Sequence, residues 1–239
     1  MKLSIIFEDE HLLAVDKPAG LLTVQDRYDT SSQNLTTLLK NKYGTIFTVH
    51  RLDRDTSGLI VFAKTEESHR ALSLAFEGRS VEKHYLAIVT GTPPDEGTID
   101  EPIAHSLTKP GTMTVAKKGK ASVSNFKVLE KYALFSLLDV HIETGRTHQI
   151  RVHMAYIGHP LFIDEVYGTR SSFKVSELKG RKYHISKHEE EERPLISRQT
   201  LHSHKLIFKH PVTGETLNLE CPLPKDMRAL ISQAEKWTK

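Results

Sequence analysis

The apolar residues of this chain come in short runs, which limits the folds open to it. The longest uncharged runs, such as 59–63 and 132–138, fall far below the roughly 18 to 20 apolar residues of a membrane-spanning helix. Hydrophobic residues make up 38% of the 239 residues and charged residues 26%. This balance excludes collagen-like and wholly disordered classes. We therefore expect a globular fold with a sizeable core, no membrane span and a mixed α+β character.

The spacing of the apolar residues predicts which runs form helices and which form strands. Runs at 3–7 and 12–15 predict a β-hairpin, and leucines spaced i, i+3, i+4 within 31–43 predict a short amphipathic helix. Residues 56–58 predict a tight loop, and 117–120 predict a hairpin turn. The same criteria predict further helices at 66–76, 148–157 and from 225 to the C-terminus, and further strands at 59–64, 85–90, 126–129, 134–142, 205–208 and 216–219.

The organisation of the chain predicts one catalytic domain over 1–239, because there is no internal repeat and no clean linker. Residues 170–199 are polar and charge-dense, which favours an insertion or mobile loop. The single cysteine, Cys221, cannot form an intramolecular disulfide and fits a reducing compartment. The apolar stretch at the N-terminus is too short for a targeting signal, and acidic residues follow it directly. A cytoplasmic location is therefore expected.

Three segments place polar and charged residues at the ends of apolar elements: 50–58, 82–87 and 143–153. In the first, Asp53 and Asp55 lie beside Arg51 and Arg54, and the neighbouring cations would hold a carboxylate ionised. Such a carboxylate can act as a nucleophile or a base. An ordinary surface ion-pair cluster is the alternative that the residues alone leave open.

The third segment gathers arginines, histidines and a glutamine at a predicted helix start, which suits a phosphate or carboxylate ligand. A solvated helix face is the alternative. His148 and His153 are five residues apart and no cysteine pair is present, so the spacing does not favour a metal site. No Gly-rich nucleotide-binding pattern and no serine-hydrolase motif occurs.

The motifs of these segments resemble those of the RluA-type branch of the RNA pseudouridine synthases. The resemblance lies in HRLDRDTSG at 50–58, DKPAG at 16–20, KHYLA at 83–87, TGRTHQIR at 144–151 and LH at 201–202 with HP at 210–211. It covers about residues 5 to 230. The family fold that it implies is α+β, with a central, mostly antiparallel mixed sheet, flanking helices and an RNA-binding cleft.

The activity implied by this resemblance is isomerisation of uridine to pseudouridine in RNA, without a metal or organic cofactor. Asp53 matches the catalytic carboxylate, which attacks the sugar or helps to generate a sugar intermediate as the uracil leaves. Tyr85 matches the tyrosine that lies against the uracil ring and helps to remove the proton from C5, whereas the residues alone favour a core tyrosine on a strand. Arg151 matches the arginine that pairs with the catalytic aspartate, and Arg146 competes for that role. Arg51 matches the residue that enters the RNA helix as the target nucleotide is flipped out.

The implied partner is ribosomal or transfer RNA, with no obligatory protein partner and a monomeric enzyme. The formal net charge is only +3, so affinity for the RNA backbone would have to come from a local basic strip, formed by Lys109, Lys117, Lys118, Lys120 and Lys127. A solvated turn is the alternative for the lysines near 117–120. The candidate RNA contacts are His50, Arg51, Lys117, Lys118, Lys120, Arg146, Thr147, His148 and Gln149.

Two departures from the family pattern affect these expectations. Ile163 stands where the family has glycine before the retained Asp164, which predicts a changed turn rather than a lost site. The sequence also begins directly at the catalytic core, without the small N-terminal RNA-binding domain of many relatives. A catalytically dead RNA-binding protein on the same fold and a carboxylate enzyme acting on another glycosidic bond are the two rival hypotheses.

Overall fold

The computed structural model describes residues 3–26, 31–180 and 191–237. The helices are α1 (Leu35–Tyr43), α2 (Glu66–Glu77), α3 (Gln149–Tyr156), α4 (Ser176–Lys179) and α5 (Lys225–Trp237). The strands are β1 (Ser4–Glu8), β2 (Leu12–Lys17), β3 (Phe47–Thr48), β4 (Ser57–Ala63), β5 (Glu82–Thr90), β6 (Glu96–Asp100), β7 (Ile103–His105), β8 (Met113–Val115), β9 (Val123–Lys131), β10 (Phe135–Ile142), β11 (Leu201–Lys209) and β12 (Thr216–Glu220).

The main sheet is mixed. Its strand order is β1-β2-β4-β11-β5-β10-β9-β6, with β12 paired to β11 and β3 paired to β4. The β4–β11 pair is parallel, whereas β1–β2, β2–β4, β11–β12 and β6–β9 are antiparallel. The expected α+β class with a mixed, mostly antiparallel sheet is confirmed. None of the helices within the described ranges is long and apolar enough to cross a membrane.

The chain forms two compact units. The first contains residues 1–86, 141–147 and 201–222, and the second contains 87–140, 148–200 and 223–239. The single catalytic domain expected from the sequence stays a prediction.

The core of the first unit surrounds β4, whose seven residues are all buried. A strand covered on both faces reads as a continuous apolar run rather than as an alternating one, which is why 59–63 is uniformly apolar. Helix α2 adds Leu72 to this core. The hydroxyl of Thr65 accepts from the backbone N–H of Ser68 and caps the helix, while glutamates in the first turn complement the helix dipole.

The second unit is built around a chain of aromatic rings. The ring centroids of Phe135 and Phe162 are 4.9 Å apart, and those of Phe162 and Phe173 are 5.0 Å apart. All three side chains are fully buried. Tilted and edge-on ring contacts of this kind add to the hydrophobic stabilisation of the burial itself.

Most elements lie where the sequence places them, including helices α1, α2, α3 and α5 and the β1–β2 hairpin. Two turn predictions were wrong. Ser57 and Gly58 are the first residues of β4 and not a loop, because β11 pairs with them in parallel. The residues at 116–119 form a turn, with Gly119 N–H donating to Ala116 O, but β8 pairs with β7 rather than with β9.

The polar segment 170–199 is only partly described, since 181–190 lies outside the described residues. In the described part, Phe173 is fully buried and forms a β-bridge with the buried Ile196. The segment therefore contributes apolar side chains to the core of the second unit at both of its ends.

Candidate active site

Asp53 lies in a loop whose backbone is fixed on both sides of the carboxylate. Thr23 Oγ1 accepts from Leu52 N–H at 3.2 Å and lies 2.9 Å from Leu52 O. On the other side, Arg54 O accepts from Lys17 Nζ at 2.9 Å and from Gly20 N–H at 2.9 Å. The DKPAG motif and Thr23 thus hold the residues that flank Asp53. A carboxylate positioned in this way loses little freedom when it engages a substrate.

Lys17 connects two loops through a side chain that is fully buried, which is unusual for a lysine. Its ammonium donates to Pro18 O, Leu21 O and Arg54 O, at 3.1, 2.7 and 2.9 Å. Three carbonyl oxygens match the three donors of an ammonium, so the buried charge is well hydrogen-bonded. The lysine of the DKPAG motif joins the turn after β2 to the loop of Asp53.

Tyr85 lies on β5 with its ring and hydroxyl buried. Burial raises the pKa of its phenol, the charge of Asp53 raises it further, and a hydrogen bond with Ser203 acts in the opposite direction. The net effect keeps the phenol protonated well beyond neutral pH. The charge of Asp53 is thus felt at the phenol of Tyr85, and the predicted joint role of the two residues in catalysis stays a prediction.

His50 is held by a ring contact and by one nitrogen. Its Nε2 accepts from Val61 N–H at 3.0 Å, and its ring stacks on Phe76 with centroids 4.5 Å apart. Burial and then the charge of Lys83 lower the pKa of His50 to about 3. His50 is therefore a neutral imidazole whose proton lies on Nδ1.

A cavity of about 470 Å³ opens beside these residues, within the first unit. Four of the predicted site residues, His50, Arg51, Tyr85 and Arg146, line it. Its walls are formed by Val49, His50, Arg51, Ser73, Phe76, Glu77, Arg79, Lys83, Tyr85, Ile142, Glu143, Thr144, Gly145 and Arg146. Sequence reasoning assigned no role to Arg79 or to Lys83. The KHYLA motif contains Lys83, but its burial against a cavity depends on how β5 packs and is not visible in the motif.

Arg151, on α3, belongs to the second unit and forms a buried bidentate ion pair with Asp164. Nε donates to Oδ2 at 2.7 Å and Nη2 donates to Oδ1 at 2.9 Å. The guanidinium also lies over the ring of Tyr167, 4.8 Å from its centroid. Burial acts to raise the pKa of Asp164, but the hydrogen bonds and charge of Arg151, followed by backbone N–H groups of Tyr167 and Val166, hold it below its ordinary value. The predicted pairing of Arg151 with Asp53 stays a prediction.

The residues before Arg151 anchor the start of α3. His148 has a positive φ of 57° and its Nδ1 lies 2.7 Å from the hydroxyl of Tyr167. That hydroxyl also accepts from Met113 N–H at 2.8 Å. Gln149 is buried and its amide nitrogen donates to Val123 O and Ser124 Oγ. These contacts show a structural role, and RNA contact by both residues stays a prediction, as does contact by the exposed Thr147.

The predicted basic strip is exposed. Lys117, Lys118 and Lys120 all lie on or beside the 116–119 turn and project their charge to solvent. Ile163, which replaces the glycine of the family pattern, does not have a positive φ. Among the described non-glycine residues, a positive φ occurs at Arg79 and His148. Ile163 is buried and its N–H donates to Thr200 Oγ1 at 3.2 Å.

Comparison with known proteins decides the family. The family model described as RNA pseudouridylate synthase matches residues 11–156, which include the loop of Asp53, Tyr85 and the start of α3. The chain belongs to the RNA pseudouridine synthase family. It is an isomerase that converts uridine in RNA to pseudouridine, and the resemblance drawn from its motifs is confirmed.

Relatives that match nearly the whole of this chain support the RluA-type branch. The chain is 40% identical over 237 residues to the ribosomal large subunit pseudouridine synthase D of Pseudomonas aeruginosa, covering 97% of this chain and 72% of that protein. It is 38% identical over 250 residues to the uncharacterized RNA pseudouridine synthase YlyB of Bacillus subtilis, covering 99% and 74%. Human RNA pseudouridylate synthase domain containing 1 has a similar structure, with 26% identity, a TM-score of 0.72, and coverage of 99% and 88%.

Proposed function

We propose that this pseudouridine synthase uses Asp53 as its catalytic carboxylate and acts on a uridine of large-subunit ribosomal RNA. The observation that carries the proposal is the buried Tyr85 in the wall of a cavity that is also lined by Arg146 and by Arg51, two residues before Asp53. The choice of RNA follows from the relative in Pseudomonas aeruginosa, whose name assigns it to the large ribosomal subunit.

The reaction needs a group that supports cleavage of the bond between the ribose C1′ and the uracil N1. The Asp53 carboxylate either attacks the sugar or promotes a sugar intermediate, and the uracil leaves with the bonding electron pair. After the uracil turns, its C5 forms the new bond to C1′, and where Asp53 was bound to the sugar this displaces the carboxylate. C5 then loses its proton and N1 gains one from solvent, so that pseudouridine has the same composition as uridine. Tyr85, protonated and buried, packs against the uracil ring, and its oxygen accepts the C5 proton as its own proton passes to the Asp53 carboxylate and from there to solvent.

The remaining predicted residues bind and position the RNA. Arg51 is exposed at the cavity rim, where it can take the place of the flipped nucleotide and offset the few kcal/mol that flipping costs. Arg151 orients the carboxylate, with Arg146 as the alternative. Lys117, Lys118 and Lys120 contact the RNA backbone. The enzyme acts in the cytoplasm as a monomer without an obligatory protein partner.

The test is release of tritium from C5-labelled uridine in ribosomal and transfer RNA fractions, with the purified chain alone and without added metal. We expect release from the ribosomal fraction by the wild type and none by Asp53→Asn. Pseudouridine must remain within the RNA chain. Free uracil or free sugar would indicate a glycosidase, and binding of RNA without release would indicate a catalytically inactive RNA-binding protein.

A further inference from the structure

Lys83 carries a buried charge that the fold does not neutralise. Only 7% of the residue is exposed, and its Nζ donates to Val81 O at 3.0 Å. Within 3–26, 31–180 and 191–237, no carboxylate forms an ion pair with this ammonium. An ammonium has three donors, so two are left for a partner outside the protein. Burying a charge in this state is unfavourable for folding, which argues for a role other than stability.

Arg79 also occupies a position whose backbone conformation is unfavourable for a residue other than glycine. It follows α2 as the left-handed residue of a Schellman motif, with φ at 59°. Ser80 N–H donates to Ala75 O at 3.0 Å and Arg79 N–H donates to Phe76 O at 3.3 Å. Glycine is the residue that adopts this conformation without strain, and here the glycine, Gly78, stands one position earlier with φ at −73°. Arg79 therefore has a long charged side chain at a position where glycine would adopt the backbone conformation without strain.

Both cations line the same cavity as Tyr85. Arg51 and Arg146 add two further positive charges to its walls, against the two carboxylates of Glu77 and Glu143. The cavity therefore has an excess of two positive charges in its lining. An arginine and a lysine that line the same cavity are a combination that suits the oxygens of a phosphate.

We propose that Lys83 and Arg79 form a phosphate-binding subsite that holds one backbone phosphate of the RNA next to the target uridine. This inference rests on the proposed function, since it takes the cavity beside Tyr85 as the place where the uridine enters. The phosphate oxygens accept from the free donors of Lys83 and from the guanidinium of Arg79. The RNA thereby neutralises a charge that the protein leaves unpaired.

The test combines RNA affinity with protein stability. Lys83→Met and Arg79→Gly are each made in the Asp53→Asn background, so that binding is measured without turnover, and Lys209→Gln serves as a control because Lys209 is exposed and lies outside the cavity. We expect each test variant to bind RNA about 10- to 100-fold more weakly. The slope of log affinity against log salt should fall by about 0.7 to 0.9 for each lost phosphate contact. The urea midpoint should rise or stay unchanged.

A second measurement identifies the phosphate. Neutral methylphosphonate linkages are placed one at a time around the mapped uridine. One linkage should weaken binding by the unsubstituted protein and leave binding by Lys83→Met unaffected. Unchanged affinity and slope in both variants, or weaker binding only together with a lower urea midpoint, would overturn the subsite. If the unsubstituted chain binds RNA but makes no pseudouridine, it is the proposed function that fails.

Discussion

His50 occupies one protonation state and one tautomer, and both have visible causes. Its Nε2 accepts a backbone N–H, and burial together with the charge of Lys83 lowers its pKa to about 3. We predict that nitrogen-detected NMR shows a neutral ring protonated on Nδ1 at pH 5. The unfolded chain titrates near 6.5, so between about pH 6.5 and 3 the unfolded state binds the extra proton and this histidine makes stability fall as pH falls. An imidazolium signal at pH 5 would contradict the assignment.

Tyr85 is expected to work as a neutral phenol. Because burial and the nearby Asp53 charge raise its pKa, its ionisation should not appear in the pH dependence of the reaction at or below about pH 10. We predict that Tyr85→Phe retains the fold and RNA affinity but lowers the single-turnover rate of pseudouridine formation by about 100-fold or more.

Tyr43→Phe is the matched control for this substitution. The hydroxyl of Tyr43 contacts the exposed Glu8, and the residue does not line the cavity, so its loss should leave the rate unchanged. Equal rates for Tyr85→Phe and the wild type would remove the hydroxyl from the mechanism.

Individual site residues differ in how far the sequence predicts them. Asp53, Tyr85 and Arg51 stand in motifs whose residue types and order point to one chemistry. Lys83 and Arg79 were assigned no role because their significance depends on burial and on a positive φ, which are tertiary and conformational properties. A short motif such as KHYLA does not show whether its lysine has a carboxylate partner in the folded protein.

At the scale of elements, Gly58 shows why a glycine can be required inside a strand. Its φ is 111°, and a Cβ placed on it would lie 2.2 Å from Ser203 O on the parallel strand β11. We predict that Gly58→Ala lowers the free energy of unfolding by roughly 2 to 4 kcal/mol, measured by urea titration. Gly145→Ala should change it little, because its Cβ would meet nothing within 4 Å and its φ is not positive. A comparable loss in both variants would argue against the close approach.

The pair of Arg151 and Asp164 fixes α3 against the segment that follows it. Removing one partner leaves the other charge buried, so we predict that Asp164→Asn lowers the free energy of unfolding by about 3 to 5 kcal/mol at pH 7. The folded state holds the pKa of Asp164 below 3.8, so its stabilising effect is complete above that pH and is lost as pH falls through the folded pKa.

Urea titrations at a series of pH values measure this difference. The gap between the wild type and Asp164→Asn should be the same at pH 7 and pH 5 and should shrink below about pH 3.8. A gap that shrinks already between pH 7 and pH 5 would mean that another group dominates.

Helices and strands were predicted well where the local sequence alone determines them. They were predicted poorly where their limits or pairing depend on a partner strand. The apolar period of 31–43 is sufficient to predict α1, and the cap at Asn34, whose Oδ1 accepts from Thr37 N–H, is a local interaction. The extension of β4 to Ser57, in contrast, depends on pairing with His202, a residue far along the chain. The partner of β8 depends in the same way on β7, so the lysine turn alone suggested the wrong hairpin.

For the molecule as a whole, the distribution of charge should matter more than its sum. The formal net charge of +3 is too small to explain strong attraction to RNA by itself. RNA affinity is expected to depend on where cations lie, since each phosphate contact releases condensed counterions locally. The three exposed lysines at 117, 118 and 120 are close in sequence and are the strongest candidates in the second unit.

Two variants of equal net charge separate the effect of where the cations lie from the effect of the total charge. Replacing Lys117, Lys118 and Lys120 by glutamine reduces the formal charge from +3 to 0, and so does the same replacement of three exposed cations on α5, Lys225, Arg228 and Lys236. The first variant should lower the slope of log affinity against log salt by about 2.1 to 2.7, at 0.7 to 0.9 for each of three contacts, whereas the α5 variant should retain the slope. Both variants should unfold at the wild-type urea concentration, because exposed charges contribute little to stability. Equal slopes in the two variants would mean that RNA responds to the total charge and that the lysine turn is not part of the interface.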